Sequence, residues 1–302
     1  MSDFKISKSD FKLLSQIAMM KETTLVKGLT KILQNYFPIQ NVIATDDFIY
    51  ALGDEPIGLV AHLDTVHRET VKDIFHDSDK KVIWSPQGIG GDDRAGVFAI
   101  LKILEQGYRP SVIFCTKEET GGIGATEFVK MFIKPLVKTN FLIELDRRGE
   151  EDSVFYDLDN EKFEGYINTF GFKTNWGTFS DISIIAPVWQ IPAVNLSIGY
   201  FNEHSFSEYI HYPSLLKTIE RVTKILDYEY IEEHIFEYIE NPYSYYWKQM
   251  NVTAGTGECK CDYCDKIFPK EEIFGIAEGD ATLHLCVDCL QLLFSNNKEI
   301  TS

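Results

Sequence analysis

The sequence predicts an α/β protein, a mixed sheet flanked by helices, followed by a small C-terminal module pinned at cysteines. Three observations carry this. Short apolar runs alternate with segments of helical periodicity from residue 9 to residue 226. Imidazole and carboxylate groups recur at near-regular intervals: 30 residues from His62 to Asp92, 26 from Asp92 to Glu118 and 27 from Glu119 to Asp146. Each interval is about one β-α step, so repeating βαβ units would bring these groups to one sheet edge. Near the C-terminus, two Cys-x-x-Cys pairs stand 21 residues apart, at Cys261/Cys264 and Cys286/Cys289.

Composition narrows the function classes. A chain of 302 residues supplies one large domain or two unequal ones. The formal net charge of -17 disfavours nucleic acid and anionic membrane surfaces as partners. The first ten residues are polar, so no signal peptide is expected, and no apolar run reaches the length of a membrane span. Five of the six cysteines fall between Cys259 and Cys289, which reads as a metal site in a reducing cytoplasm rather than a disulfide framework. Cys115 lies inside an apolar run and reads as a small core residue.

The elements follow in order. Phe11, Leu14, Ile17 and Ala18, then Leu25, Leu29, Ile32, Leu33 and Tyr36, recur at helical spacing. They predict two helices broken near Lys21-Glu22-Thr23, the second stopped by Pro38. Residues 42–44 and 48–52 read as a hairpin around Thr45-Asp46-Asp47. The run 57–60 reads as a strand ending at His62, and the polar residues 67–87 as a loop or small hairpin. Residues 88–96 hold four glycines, which let the backbone turn tightly and approach a ligand. A helix follows, with Val97, Ile100, Leu101 and Leu104 on one face. Residues 111–116 and 140–145 read as strands separated by a helix at 126–132. Two short strands are expected at 154–156 and 166–168, then a short apolar helix ending at Pro187, a strand at 191–198 and a helix at 213–226. The expected division is a domain over 1–226, an aromatic and acidic connector over 227–254 and a module over 255–302 that opens with Gly255-Thr256-Gly257.

Several residues carry chemistry by type and place. His62 stands at the carboxyl end of a strand, where open α/β sheets place ligands. Asp64, two residues on, is close enough to turn back and fix the imidazole. Asp92 falls at or just before a helix start, where an aspartate can also act as a cap. Glu118-Glu119 follow a strand and precede glycines, where acids can also simply favour a helix start in solvent. Asp146 ends the next apolar run, and His204 lies in a loop after the last. Independent caps and surface loops would not all fall at the same end of consecutive units. Imidazole nitrogen and carboxylate oxygen are zinc donors. Two adjacent glutamates can divide the work, one binding metal and the other staying free to move a proton.

As an ordered set, HLDTV at 62–66, GGDDRAG at 90–96, EETGGIGA at 118–125, ELDR at 144–147 and NEH at 202–204 resemble the co-catalytic zinc exopeptidases. That clan includes peptidase T, the aminoacylases and the bacterial leucyl aminopeptidases. The resemblance covers roughly residues 57 to 210. It implies a zinc exopeptidase-like, phosphorylase/hydrolase-like fold and two zincs, with cobalt or manganese as alternatives. It assigns His62 and Asp146 to one metal, Glu119 and His204 to the other, and Asp92 to both, chosen over Asp93 by its place four residues before Gly96. Asp64 would orient His62, and Glu118 would be the general base. The implied reaction is hydrolysis of the terminal peptide bond of short peptides, of aminopeptidase type. An N-acyl amino acid deacylase on the same centre is the first alternative, and a peptidase-like binding protein that recruits a partner through its tail is the second. Peptidase T and the aminoacylases carry a separate domain between the fourth and fifth motifs. Here Asp146 and His204 are only 58 residues apart, which points to the single-domain branch.

The tail has its own logic. Cys261, Cys264, Cys286 and Cys289 have the spacing of a structural zinc site and resemble a zinc ribbon or treble clef, with Cys259 and His284 as alternative ligands. So short a module has little core, and the metal would supply folding energy. From Gly255 to Ser302, four Lys plus Arg stand against nine Asp plus Glu. That balance argues against a phosphate backbone and favours self-association, a protein partner or a purely structural role.

Overall fold

Three-layer packing around a mixed sheet is what these segments build. The computed structural model describes residues 5–156, 158–227, 236–240, 258–269, 273–278, 281–286 and 289. The chain divides into two units, Met1–Glu240 and Asn241–Ser302. The first runs α1 (Lys8–Met19), α2 (Glu22–Leu33), β1 (Val42–Ala44), β2 (Phe48–Ala51), β3 (Glu55–His62), β4 (Phe75–Asp77), β5 (Val82–Trp84), α3 (Gly91–Glu105), β6 (Pro110–Cys115), α4 (Ile123–Met131) and β7 (Phe141–Arg147). It continues through β8 (Asp152–Val154), α5 (Glu161–Asn168), β9 (Lys173–Asn175), α6 (Ile182–Trp189), β10 (Ala193–Ser197), β11 (Tyr200–Phe201), β12 (Tyr209–His211) and α7 (Tyr212–Leu226).

The eight-stranded sheet has the order β1-β2-β6-β3-β7-β10-β8-β9. Its four central strands β6, β3, β7 and β10 are parallel, while β1, β2 and β8 add antiparallel pairings toward the edges. Parallel strands need cover on both faces, and alternation along each strand supplies two cores. Ile57, Leu59 and Ala61 of β3 join the layer that holds Leu14, Leu29 and Phe98. Val60 joins the opposite layer with Tyr50, Phe128 and Trp189. Helices α1, α3 and α7 pack on the first face, and α4 and α6 on the second. The Ser7 hydroxyl caps α1 by accepting the Asp10 N–H, and Leu25, Leu29 and Leu33 give α2 a buried stripe at four-residue spacing.

Three expectations are corrected. Residues 166–168 are the last turn of helix α5, not a strand. Asn160 caps that helix by accepting the Phe163 N–H, and Phe163 and Ile167 supply its buried face. Helix α6 runs through Pro187 to Trp189. The interval between His62 and Asp92 is not a β-α step: residues 67–87 hold a small hairpin, one of the two forms expected for them, and this β4–β5 hairpin joins β11 and β12 in a separate four-stranded sheet, β11-β12-β5-β4. The short interval from Asp146 to His204 is filled by α5, α6 and by β8, β9 and β10 of the main sheet, leaving no separate domain there.

Of the aromatic stretch after α7, Tyr228, Tyr230, Tyr243, Tyr245, Tyr246 and Trp247 lie outside the described residues, as does Gly255-Thr256-Gly257. Phe236 is described and packs on Phe141, Phe163 and Tyr166. Among its described residues, the second unit holds two antiparallel strand pairs, β13 (Glu258–Lys260) with β14 (Ile267–Pro269) and β15 (Ile273–Glu278) with β16 (Ala281–Cys286). Among the described residues, no helix is long and apolar enough to cross a membrane.

Candidate metal centre

Strand order places the site. β6, β3 and β7 are neighbours and run parallel, with His62 opposite Cys115 and Val60 opposite Glu144. The Glu118-Glu119 turn after β6, His62 at the end of β3 and Asp146 near the end of β7 therefore share one carboxyl edge. Asp92 arrives from the glycine turn. Gly90 adopts a left-handed conformation, Asp92 and Asp93 are still non-helical, and regular helix begins after them. A side chain at Gly96 would strike the Leu145 carbonyl and the Asp93 carboxylate, so glycine is needed there for α3 to lie against β7.

The six side chains assigned to ligand and orienting roles form one connected group. His62 Nε2 lies 2.9 Å from Asp92 Oδ1 and 3.3 Å from Asp146 Oδ1. His204 Nε2 lies 3.2 Å from Asp92 Oδ2 and 3.2 Å from Glu119 Oε1. Asp64 Oδ1 is 3.3 Å from the other nitrogen of His62. Glu118 lines the same cleft, of about 430 Å³, together with Asp92, Glu119, Asp146 and His204.

Asp92 and Asp93 have different partners. Asp93 turns away from His204: its carboxylate accepts the Gly96 N–H at 2.9 Å and the His62 N–H at 3.3 Å. Asp93 is thus the helix cap, and Asp92 is free to face both imidazoles. Asp64 has partners besides the His62 ring. Its two oxygens accept the N–H groups of Glu118 and Glu119 at 2.9 and 3.1 Å, which fixes the backbone of the glutamate pair.

Three supports were not legible as site residues. Buried Glu208 accepts the N–H groups of Gly90 and Asp92 at 2.8 and 2.9 Å and pairs with His67 Nε2 at 2.9 Å. Asn195 on β10 accepts the Asp146 N–H at 3.0 Å and donates to the Asp146 carbonyl at 3.2 Å. The Tyr200 hydroxyl donates to that carbonyl at 3.0 Å. Asp181 is fully buried beside the Cys115 thiol. Burial lifts its pKa to about 7 despite the opposing pull of His62.

The electrostatics reflect acids crowded around two imidazoles. Burial pushes the Glu118 carboxyl up to about 9, against the attraction of His62. Burial and the Asp92 charge take Asp146 up to about 7, again against His62. Burial also opposes charge on Asp92, but hydrogen bonds from His204 and His62 outweigh it and hold that carboxyl well below its ordinary range. His204 is raised to about 11, first by its hydrogen bond to Asp92 and then by that to Glu119.

These donors suit a divalent cation. His62, Asp92 and Glu119 each offer a ligand atom within 4.8 Å of the others. Glu119 Oε1 is buried, and the nitrogen nearest to it is His204 Nε2 at 3.2 Å, so an imidazole and a carboxylate meet here as they would around a shared cation. The donor set, imidazole plus carboxylate, is one that zinc accepts.

In the second unit, Cys261, Cys264, Cys286 and Cys289 bring their sulfurs within 4.8 Å of one another. The first pair sits in the turn between β13 and β14, and the second begins at the end of β16. Burial raises the Cys261 thiol, yet backbone N–H groups of Cys264 and Cys286 outweigh it and bring its pKa to about 6, toward the thiolate a metal needs. The backbone N–H of His284 donates to Asp262 Oδ2 at 2.6 Å, and its ring Nδ1 lies 3.6 Å from the same oxygen. The Cys259 side chain lies outside the described residues.

Comparison with known proteins gives no matching family model and no matching curated protein. Solved structures do match. A tripeptidase from Staphylococcus aureus aligns with a TM-score of 0.55 at 16% identity, covering 72% of this chain and 96% of that one. Aminopeptidase PepT from Bacillus cereus aligns at 0.53 and 15% identity, covering 72% and 97%. A TET aminopeptidase from a marine-sediment Thaumarchaeota archaeon aligns at 0.58 and 12% identity, covering 75% and 99%. At such identities the likeness is one of architecture, and the chain has the fold of these peptidases.

Proposed function

We propose that the chain is a metal-dependent exopeptidase of aminopeptidase type that acts on short peptides through two bound cations, and that its tail holds one structural zinc. The observation that carries this reading is the double engagement of Asp92, whose Oδ1 faces His62 at 2.9 Å and whose Oδ2 faces His204 at 3.2 Å. One carboxylate presented this way is suited to be shared. His62 and Asp146 would hold one cation beside it, Glu119 and His204 the other. Bound cations of this kind lower the pKa of a water and polarise a scissile carbonyl.

The chain's own residues supply the rest. Asp64 holds the His62 ring and anchors the backbone of the glutamate pair, so Glu118 stands at a fixed place in the cleft. Glu118 makes no ion pair with either imidazole among the described residues, whereas Glu119 meets His204. Burial raises the Glu118 carboxyl in the cation-free cleft, and positive charge bound beside it would favour the ionised form, the one that can take a proton from the attacking water and hand it to the leaving amine. Asn195 and Tyr200 hold the Asp146 backbone, which keeps the far wall of the site in register.

The test is hydrolysis of aminoacyl reporter substrates and short unblocked peptides by purified protein, abolished by a chelator and restored by zinc, cobalt or manganese. Protein that carries its metals and cleaves neither reporters nor N-acyl amino acids would refute the enzymatic reading. Preference for the N-acyl amino acids would move the assignment to a deacylase.

A further inference from the structure

The cleft that holds the candidate ligands also holds two arginines, Arg147 and Arg148, directly after Asp146. They do different things. Arg147 donates from a terminal nitrogen to the Trp176 carbonyl at 3.2 Å and from Nε to Asp152 at 3.4 Å. It thereby ties down the segment 176–179, whose Trp176 and Phe179 are 39% and 43% exposed and line the cleft. Arg148 reaches the other way and meets Glu203, the neighbour of His204, through one guanidinium nitrogen.

The Arg148–Glu203 pair does not explain itself as a stabilising contact. The Arg148 side chain is 58% exposed and Glu203 20% exposed, and ion pairs at such positions contribute little to stability. The pair does orient the fork. With one nitrogen on Glu203, the remaining donors of Arg148 are available at the cleft, and a planar guanidinium is the side chain best matched to a carboxylate. The other charged groups of the cleft are accounted for. Asp92, Glu119 and Asp146 are the proposed ligands, Glu118 is the proposed base, and Glu203 is balanced by Arg148.

The whole-chain charge sharpens the point. At -17, the molecule repels anions, so an anionic substrate needs a local cation to be held. If the free amine of a short peptide lies at the metal end, its opposite end is a carboxylate, and a cleft of about 430 Å³ limits how far away that end can be.

We propose that Arg148 is a carboxylate subsite of this cleft, steered by Glu203, and that the preferred substrates are short peptides that present a carboxylate to it across the aromatic wall of Trp176 and Phe179. This rests on the exopeptidase reading above. The carboxylate is either the C-terminus of the peptide or an acidic side chain, and the test separates the two.

The probes are Leu-Gly-Gly with its first peptide bond reduced to a non-hydrolysable amine, the C-terminal amide of the same compound, and the matching Glu-Gly-Gly amide. Binding to metal-loaded wild type, Arg148→Gln and Arg148→Lys is measured by calorimetry. The wild type is expected to bind the free acid about tenfold or more tightly than the amide, the size of a charge-assisted pair. Arg148→Gln should lose that preference while leaving affinity for the Leu-Gly-Gly amide unchanged, and Arg148→Lys should keep part of it. If the Glu-Gly-Gly amide regains the affinity, the acidic side chain is the source; if it does not, the C-terminus is. Equal binding of acid and amide by wild type, a preference that survives Arg148→Gln, or no binding of any probe would overturn the proposal. Turnover of unmodified Leu-Gly-Gly is followed in parallel. Cleavage without a carboxylate preference removes the subsite alone. A preference lost in Arg148→Gln, with nothing cleaved by wild type, removes the exopeptidase reading and leaves the subsite.

Discussion

Glu208 accepts the backbone N–H of Asp92 at 2.9 Å through Oε1, while its Oε2 accepts the Gly90 N–H at 2.8 Å. These residues are more than a hundred positions apart, so the loop that carries His204 returns to buttress the turn that carries Asp92. The buried carboxylate also meets His67 Nε2 at 2.9 Å. The two halves of the proposed site are thus joined by a residue that acts on the backbone of the Asp92 turn.

Glu208→Gln is expected to lose one of the two backbone acceptors, because an amide has only one oxygen. The loss of a hydrogen bond to a buried charged group costs about 1–3 kcal/mol. Thermal unfolding should shift down accordingly, and the cation shared through Asp92 should bind more weakly. Unchanged melting together with unchanged metal affinity would show that the buttress is idle.

The two adjacent glutamates should separate in metal content. Glu118→Gln should retain both catalytic metals and lose nearly all turnover, since the proton of the attacking water then has no acceptor. Glu119→Gln should lose metal as well as turnover. Elemental analysis with kcat measured on the same samples decides it, and near wild-type kcat in Glu118→Gln would reverse the two assignments.

Metal uptake should be coupled to protons. His204, raised to about 11 from 6.5 by Asp92 and Glu119, is protonated in the metal-free protein at neutral pH. Its pairing contributes to the metal-free fold fully below 6.5 and is lost as pH climbs toward 11, a modest term for a side chain 53% exposed. A cation needs the neutral imidazole, so it must displace that proton. Apparent affinity should therefore rise from pH 6 to pH 9. The calorimetric heat of binding should also change with the ionisation heat of the buffer. A heat independent of buffer would show that His204 is not a ligand.

Much of this was readable from the sequence, for a physical reason. His62, Glu118, Glu119 and Asp146 follow apolar runs that become parallel strands, and a strand's carboxyl end has a fixed place in such a sheet. The regular spacing, however, was partly coincidental: 30 residues separate His62 from Asp92 because a β-hairpin of another sheet lies between them, not a helix. Helix α5 was hidden because Tyr166, Ile167 and Asn168 alone have the look of a strand, while the deciding signal is the cap at Asn160. Glu208 was invisible because its partners are backbone N–H groups, which sequence spacing does not reveal.

The tail offers the last test. Every candidate residue of the proposed catalytic site lies in the first unit, and the four cysteines lie in the second. With strand pairs this short, metal binding would supply much of the folding energy of the second unit. Cys261→Ser combined with Cys264→Ser should remove one zinc per chain, keep two, and lose protection from proteolysis only beyond residue 240. Turnover on a short peptide should fall by less than about tenfold, or ~1.4 kcal/mol of transition-state stabilisation. Oligomer size or retention of a protein partner should change instead, as expected of a docking module of net acidic charge. A collapse of turnover while two metals remain bound would mean that the cysteine module completes the active site, and its role would have to be rewritten as catalytic support.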